Sequence, residues 1–149
     1  MANKLKEVLI IDDDMTANYL NERIVTELQI ADHVKILTNG KDGLDYILEK
    51  CADNKETCPE LIILDHFMPL MDGLELMETL HKSGKLENMR AVFLLLAIHT
   101  NIKDLKRFKM LGVQEFTNKP LSREKLLESY QKYWADDTVK DHTLPEPNF

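Results

Sequence analysis

The stretch Leu61-Ile-Ile-Leu-Asp-His-Phe-Met-Pro-Leu-Met-Asp-Gly73 decides the fold of this 149-residue chain. It opens with four apolar residues in a row, a pattern typical of a strand that helices cover on both faces, as in parallel sheets. Asp65 follows the apolar run directly. Because ligands of open parallel sheets bind outside the carboxyl ends of the strands, the stretch predicts a buried strand that presents a functional carboxylate.

Other apolar runs flank this stretch on both sides, and amphipathic segments of helical length separate them. The runs are Val8–Ile11, Val34–Leu37, Ala91–Leu96 and Val113–Phe116. Between and after them, apolar residues recur at helical spacing: Leu20, Ile24 and Leu28; Leu44, Ile47 and Leu48; Leu74, Met77 and Leu80; Leu105, Phe108 and Leu111; and Leu126, Leu127, Tyr130 and Tyr133. Ser122 has the position of an N-cap for the last segment. Strict alternation of strands and helices predicts an α/β fold, a doubly wound (βα)5 sandwich around a central five-stranded parallel sheet.

The composition describes one globular domain followed by a tail. Hydrophobic residues make up 44% of the chain and charged residues 30%, which is ordinary for a globular protein. Residues 1–134 are predicted to form the domain. Residues 135–149 lack enough apolar side chains to pack, so they are predicted to be a disordered or loosely packed C-terminal tail.

The net charge and the length of the apolar runs indicate which binding partners and which cellular location to expect. The net charge of −7 and the lack of a basic cluster argue against nucleic-acid binding. The longest apolar run, Ala91–Ile98, is far shorter than the roughly 20 residues that span a bilayer. We therefore expect a cytoplasmic protein without membrane contact. Cys51 and Cys58 are the only two cysteines, and no second pair of cysteines and no nearby histidines accompany them. They are therefore expected to be reduced thiols without a structural or metal-binding role.

Carboxylates and a lysine follow three of the predicted strands at one edge of the sheet. Asp12, Asp13 and Asp14 come after the first strand, Asp65 after the third and Lys119 after the fifth. Carboxylates ~4 Å apart repel by ~4 kcal/mol per pair at the effective dielectric of a protein surface, so such a cluster needs a cation. Oxygen ligands suit Mg²⁺, and a lysine can pair with a phosphoryl oxygen. A carboxylate beside both is a candidate for forming an acyl phosphate.

Three motifs carry a resemblance to the receiver domains of bacterial two-component response regulators, of the stand-alone, chemotaxis-regulator-like kind. They are Val8-Leu-Ile-Ile-Asp-Asp-Asp14, the stretch from Leu61 to Gly73, and Phe116-Thr-Asn-Lys-Pro120. The resemblance covers roughly residues 6 to 134. It implies a flavodoxin-like fold and a switch that takes a phosphoryl group from a sensor histidine kinase or a phosphotransfer protein and signals to an unknown downstream protein. Such a switch catalyses only its own phosphorylation and dephosphorylation.

The resemblance also assigns roles to the residues of the motifs. Asp65 matches the phosphoacceptor. Asp13 matches a direct Mg²⁺ ligand, Asp12 a ligand acting through water, and the backbone carbonyl of Phe67 a further metal contact beside Asp65. Lys119 matches the lysine that contacts the phosphoryl group, and the bond to the following proline is implied to be cis.

Near the fourth and fifth strands the chain both follows and departs from the family pattern. Phe116 matches a switch aromatic that changes rotamer, although it could equally be a core aromatic. Ala97 stands where the family has a Ser or Thr whose hydroxyl contacts the phosphoryl group, and Ile98 follows it. Thr100, three residues later, is expected in the next loop or helix start. We therefore predict an intact acceptor with altered coupling.

Two other functions are compatible with parts of the sequence. Ala97 and Ile98 favour a degenerate receiver that acts as an interaction module without phosphorylation. Asp12 and Asp14 have the Asp-x-Asp spacing of aspartyl-phosphate phosphatases on a related fold. Asp14 has no family metal role and is expected to be a solvated loop residue. His66 is expected to be a partly exposed loop histidine.

Overall fold

The computed structural model describes residues 4–52 and 56–134, which form one parallel α/β sandwich. The strands are β1 (Leu5–Ile11), β2 (Ala31–Leu37), β3 (Leu61–Asp65), β4 (Val92–Ala97) and β5 (Glu115–Asn118). The helices are α1 (Met15–Leu28), α2 (Gly40–Cys51), α3 (Gly73–Ser83), α4 (Ile102–Met110) and α5 (Arg123–Tyr133). The strands lie in one sheet in the order β2-β1-β3-β4-β5, and every pair is parallel. The predicted fold is confirmed; the predicted tail, residues 135–149, lies outside the described residues.

The central strands bury side chains on both faces, as their continuous apolar runs predict. In β3, Ile62 and Leu64 pack with the core residues of α2, α3 and α4, whereas Leu61 and Ile63 pack with those of α1 and α5. Successive side chains of a strand point to opposite faces, so an uninterrupted apolar run supplies both cores at once. Among the described residues, no helix is both long and apolar enough to cross a membrane.

Each of the five long helices begins with a capping side chain. Ser122 accepts a hydrogen bond from the Lys125 backbone N–H at 3.1 Å, so the predicted N-cap of α5 is confirmed. Asp14 is exposed, as predicted, but it also caps α1 by accepting from Thr16 and Ala17. These caps satisfy backbone donors that have no partner within the helix and so fix where each helix starts.

The buried face of α1 differs from the predicted apolar stripe. Leu20 is 45% exposed, and Ile24 and Leu28 are only partly buried. The side chains that are fully buried in this helix are Asn18, Asn21 and Val25. Asn18 faces inward, where its Nδ2 donates to the Asp12 carbonyl at 2.8 Å, and this hydrogen bond offsets part of the cost of burying the amide.

The fifth strand begins later than the predicted run Val113–Phe116. Gly112 adopts a left-handed conformation with φ 107°, and the Val113 N–H donates to the Phe108 carbonyl at 3.1 Å. Val113 therefore belongs to the C-terminal cap of α4, where a left-handed glycine commonly ends a helix. The strand proper starts at Glu115 and extends to Asn118.

Cys51 and Cys58 form a disulfide, so the prediction of reduced thiols is wrong. The helix α2 ends at Cys51, and the chain then returns toward β3, which brings the two Cα atoms to 4.5 Å. Spacing along the sequence did not indicate this proximity because it depends on where α2 ends. Disulfides persist mainly in oxidising compartments, so this disulfide does not support the predicted cytoplasmic location, which stays a prediction.

Replacing both cysteines with serine is expected to lower the free energy of unfolding by about 2.5 kcal/mol, because the disulfide closes a short loop and restricts the unfolded chain. Urea denaturation of the oxidised wild type and the double variant measures the difference. Wild type treated with a reductant serves as the control and should match the variant. Equal stability of all three samples would contradict a stabilising role.

Candidate functional site

The sheet order brings the predicted site residues to one edge. β1 and β3 are neighbours, with Ile11 paired to Leu64, so Asp12 and Asp65 emerge side by side from the ends of adjacent strands. Lys119 follows β5, two strands from β3, and its N–H donates to the Ala97 carbonyl at 3.0 Å. That bond directs the lysine back across the end of β4 toward the two carboxylates.

The lysine bridges the carboxylates of the two central strands. Lys119 Nζ lies 2.8 Å from Asp12 Oδ2 and 3.3 Å from Asp65 Oδ1. Asp12, Asp13 and Asp65 each offer one oxygen, and these oxygens lie within 4.8 Å of one another. Asp12 and Asp65 are buried, at 2% and 6% exposure, whereas Asp13 is exposed to solvent. One side of the cluster is therefore closed by protein and the other is open to a hydrated ion.

Electrostatics shows a surplus of negative charge in this pocket. Burial and the charge of Asp12 together raise the pKa of Asp65 to about 7, although the charge of Lys119 opposes them. For Lys119, burial alone would lower the pKa, but the hydrogen bond to Asp12 and the charges of both aspartates raise it above its ordinary value. One ammonium thus does not neutralise the pocket. An all-oxygen donor set with excess charge fits Mg²⁺.

Backbone groups hold the two buried carboxylates in place. The Asp14 N–H donates to Asp12 Oδ1 and the His66 N–H donates to Asp65 Oδ1, both at 2.9 Å. The Gly73 N–H donates to the His66 carbonyl at 2.7 Å, which folds the start of α3 tightly against the end of β3. A Cβ at Gly73 would lie 2.4 Å from the Asp65 carbonyl oxygen, so the close approach requires glycine.

Comparison with known proteins decides the family. The family model of the response regulator receiver domain matches residues 8–131. The chain belongs to the response regulator receiver family. A probable C4-dicarboxylate response regulator, DctR of Bacillus subtilis, is 27% identical over 151 residues, covering 97% of this chain and 62% of that protein. The chain thus spans about three fifths of the length of this relative.

Solved structures agree on the fold. A two-component response regulator from Cytophaga hutchinsonii superposes with a TM-score of 0.76 at 25% identity, covering 87% of this chain and 97% of that one. The receiver domain of the histidine kinase CKI1 from Arabidopsis thaliana, crystallised with Mg²⁺ and BeF₃⁻, gives a TM-score of 0.70 at 21% identity, with 83% and 90% coverage.

In this receiver domain His66 is not the partly exposed loop histidine that was predicted. Its side chain is 2% exposed and its ring stacks on Phe67, with centroids 4.0 Å apart. The ring also meets Phe108 of α4 edge-on at 4.9 Å, and Nδ1 lies 3.3 Å from Thr100 Oγ1. Burial lowers the pKa of His66, while Asp72 and Asp104 oppose the shift. The sequence around His66 gave no signal of this packing, because it joins the loop after β3 to the loop before α4 and to α4 itself.

At the end of β4 the structure places Ala97 where the family pattern has a Ser or Thr. Ala97 is buried, at 1% exposure, and brings no hydroxyl to the site. Thr100 lies in the loop before α4, as expected, and its hydroxyl faces His66. Ile98 is 64% exposed. Phe116 lies on β5, partly buried against the core formed with α2, α3 and α4.

Two residues of the predicted apolar stripe of α1, Leu20 and Ile24, line a surface groove next to the site. This groove of about 720 Å³ lies between α1 and the segment that follows β5. Leu20, Ile24, Ile98 and Leu121 are among its apolar lining residues, and Lys119 lies at the same groove. Lys119 is therefore shared by this groove and the acidic pocket.

Proposed function

We propose that this receiver domain accepts a phosphoryl group on Asp65 in a Mg²⁺-dependent reaction with a sensor histidine kinase or a phosphotransfer protein. The observation that carries the proposal is the placement of Lys119 Nζ within 3.3 Å of carboxylate oxygens from both Asp12 and Asp65. Positioning and charge neutralisation provide most of the catalysis of phosphoryl transfer, and this arrangement supports both.

The transfer is a substitution at phosphorus. A carboxylate oxygen of Asp65 attacks the phosphorus of a phosphohistidine, forming an O–P bond as the N–P bond breaks. The electron pair of that bond stays on the imidazole nitrogen of the donor, which takes a proton from water. Lys119 then pairs with a phosphoryl oxygen, an interaction that offsets charge developing on the transferred group.

The metal would be held by the acidic cluster. Asp13, with the Asp65 carboxylate and the Phe67 carbonyl, would ligate Mg²⁺ directly, and Asp12 would act through water; the ion supplies charge neutralisation for the incoming phosphoryl oxygens. The exposure of Asp13 supports this division, because Mg²⁺ keeps several of its waters. A complex with Mg²⁺ and BeF₃⁻ exists for the CKI1 receiver domain, which shares the fold.

The apolar groove beside the pocket supports docking of the phosphodonor protein. Exposed apolar side chains that face a polar active site commonly receive an amphipathic helix of a partner. Of the residues that line the groove, Leu20 of α1 is 45% exposed and Ile98, after the end of β4, is 64% exposed. A donor helix placed here would bring its phosphohistidine to the Asp65 pocket.

Ala97 removes one charge-assisted hydrogen bond from the phosphorylated state. Such a bond is worth about 1.5–3 kcal/mol, so switching through Phe116 is expected to be weaker by about one to two orders of magnitude. An Ala97→Ser variant tests this assignment by amide hydrogen exchange of β5 with and without phosphorylation. A larger response in the variant supports it, and an unchanged response contradicts it.

Two alternatives give different results in a phosphorylation assay. Intact mass after incubation with Mg²⁺ and a small-molecule phosphodonor should show the gain of one phosphoryl group, and chelation of Mg²⁺ should prevent it. An interaction module without phosphorylation would show no gain under conditions that label an ordinary receiver. A phosphatase would instead turn over a small phosphate ester repeatedly.

A further inference from the structure

His66 contacts both the proposed acceptor and the loop that leads into α4. Its backbone N–H donates to Asp65 Oδ1 at 2.9 Å. Its ring nitrogen Nδ1 lies 3.3 Å from Thr100 Oγ1, and its ring meets Phe108 edge-on with centroids 4.9 Å apart. Thr100 directly precedes the N-cap of α4, and Phe108 is the fully buried residue of that helix. A single residue therefore spans the distance from the acceptor carboxylate to α4.

Packing leaves the His66 side chain little freedom to move independently of its backbone. The residue is 2% exposed, and its ring lies between Phe67 and Phe108. Its carbonyl accepts from the Gly73 N–H at 2.7 Å, so the backbone is held on both sides. Because interiors are close-packed, a shift of the His66 peptide is passed to its ring and from there to Thr100 and Phe108.

Phosphorylation of Asp65 changes the bond that starts this chain of contacts. Once an acyl phosphate forms, neither carboxyl oxygen carries its former share of the full negative charge. A hydrogen bond to an ionised acceptor is about twice as strong as one between neutral groups, so the bond from the His66 N–H differs between the two states. Such a difference between states is what any coupling to a distant element requires.

We propose that His66 and Thr100 are positioning residues that couple the phosphorylation state of Asp65 to the position of α4. Ala97 has no hydroxyl and so cannot provide this coupling through a hydrogen bond. The coupling rests on the proposed function, since it needs Asp65 to be the acceptor. It runs from the acceptor carboxylate through the His66 peptide and ring to the Thr100 hydroxyl at the start of α4. In this proposal the Thr100 hydroxyl, three residues after the end of β4, acts on α4 and does not contact the phosphoryl group.

The experiment is amide hydrogen exchange of the full chain with Mg²⁺, with and without beryllofluoride as a phosphoryl mimic. Its readout is the ratio of exchange rates in α4 between the two states. Thr100→Val is expected to reduce that ratio roughly three- to tenfold, the range that one hydrogen bond contributes. Thr100→Ser, which keeps the hydroxyl, should respond like the wild type. Thr79→Val in α3 removes a hydroxyl that donates to the Glu75 carbonyl of the same helix, and it is the matched control.

A second variant keeps the test independent of Thr100. His66→Phe retains an aromatic ring but removes the ring nitrogen, and it is expected to reduce the α4 response to the same extent. A purely structural role would alter exchange equally in both states and leave the ratio unchanged, and that result overturns the proposal. A wild type that binds beryllofluoride without any α4 response overturns it too.

Intact mass of phosphodonor-treated samples separates this proposal from the proposed function. Wild type and Thr100→Val are both expected to gain one phosphoryl group to a similar extent. Equal phosphorylation with an undiminished α4 response in Thr100→Val overturns the coupling alone. Absence of any gain in the wild type overturns the proposed function first.

Discussion

The Asp65→Asn variant is expected to gain no phosphoryl group from a small-molecule donor under conditions that fully label the wild type. The amide that replaces the carboxylate lacks the nucleophilic oxygen that forms the acyl phosphate, so the loss should be complete. Asp65 is buried beside Lys119, and among the described residues the other carboxylate that contacts this lysine is Asp12. Intact mass spectrometry of both proteins, incubated side by side with Mg²⁺, measures the outcome.

Asp14→Asn is the matched control for that experiment. It makes the same chemical change close to the pocket, but Asp14 lies outside the three-carboxylate cluster and caps α1. Asparagine caps helices about as well as aspartate, so the variant should fold and be labelled like the wild type. Labelling of Asp65→Asn at another carboxylate would contradict the assignment of the acceptor, and loss of labelling in both variants would indicate a general effect of charge.

The second large effect concerns Mg²⁺. Asp13→Asn is expected to weaken Mg²⁺ binding by about tenfold or more, because one carboxylate contributes up to ~4 kcal/mol of attraction per unit of cation charge at ~4 Å. Calorimetric titration of the wild type and the variant gives the two dissociation constants. Thermal unfolding gives a second measure, since Mg²⁺ at 100 times its dissociation constant stabilises a folded protein by about 2.7 kcal/mol.

The neighbouring carboxylate again provides the comparison. Asp14→Asn is expected to change the Mg²⁺ dissociation constant by less than about threefold, because it removes only a more distant charge that water and salt screen. Without Mg²⁺, Asp13→Asn should unfold at or above the wild-type temperature, since Asp13 is exposed and its removal relieves repulsion. Equal Mg²⁺ affinity of the wild type and Asp13→Asn would place the ion elsewhere.

The order of apolar runs was sufficient to predict the sheet and the convergence of the acidic pocket. The four apolar residues that begin β3, 61–64, have to be covered on both faces of the sheet, which places this strand in the interior of a parallel sheet. In such a sheet all carboxyl ends lie at one edge, so Asp12, Asp65 and Lys119 meet there whatever the details of the helices. These three residues come together because of the order in which strands and helices alternate, and the spacing of apolar residues reveals that order.

Other features depended on contacts that the spacing of apolar residues does not reveal, even between residues close together in the chain. The inward face of α1 carries Asn18, whose amide satisfies the Asp12 carbonyl, a need that apolar spacing does not register. The Cys51–Cys58 disulfide depends on where α2 stops.

The burial of His66 shows the same limit at the site itself. His66 is buried because Phe108 approaches from α4, 42 positions along the chain. Its partner Thr100 is 34 positions away. The sequence by itself determined the fold and which charges meet. Only the tertiary structure decided how the buried polar groups beside those charges are paired, because each such group takes whichever partner the packing brings within hydrogen-bond distance.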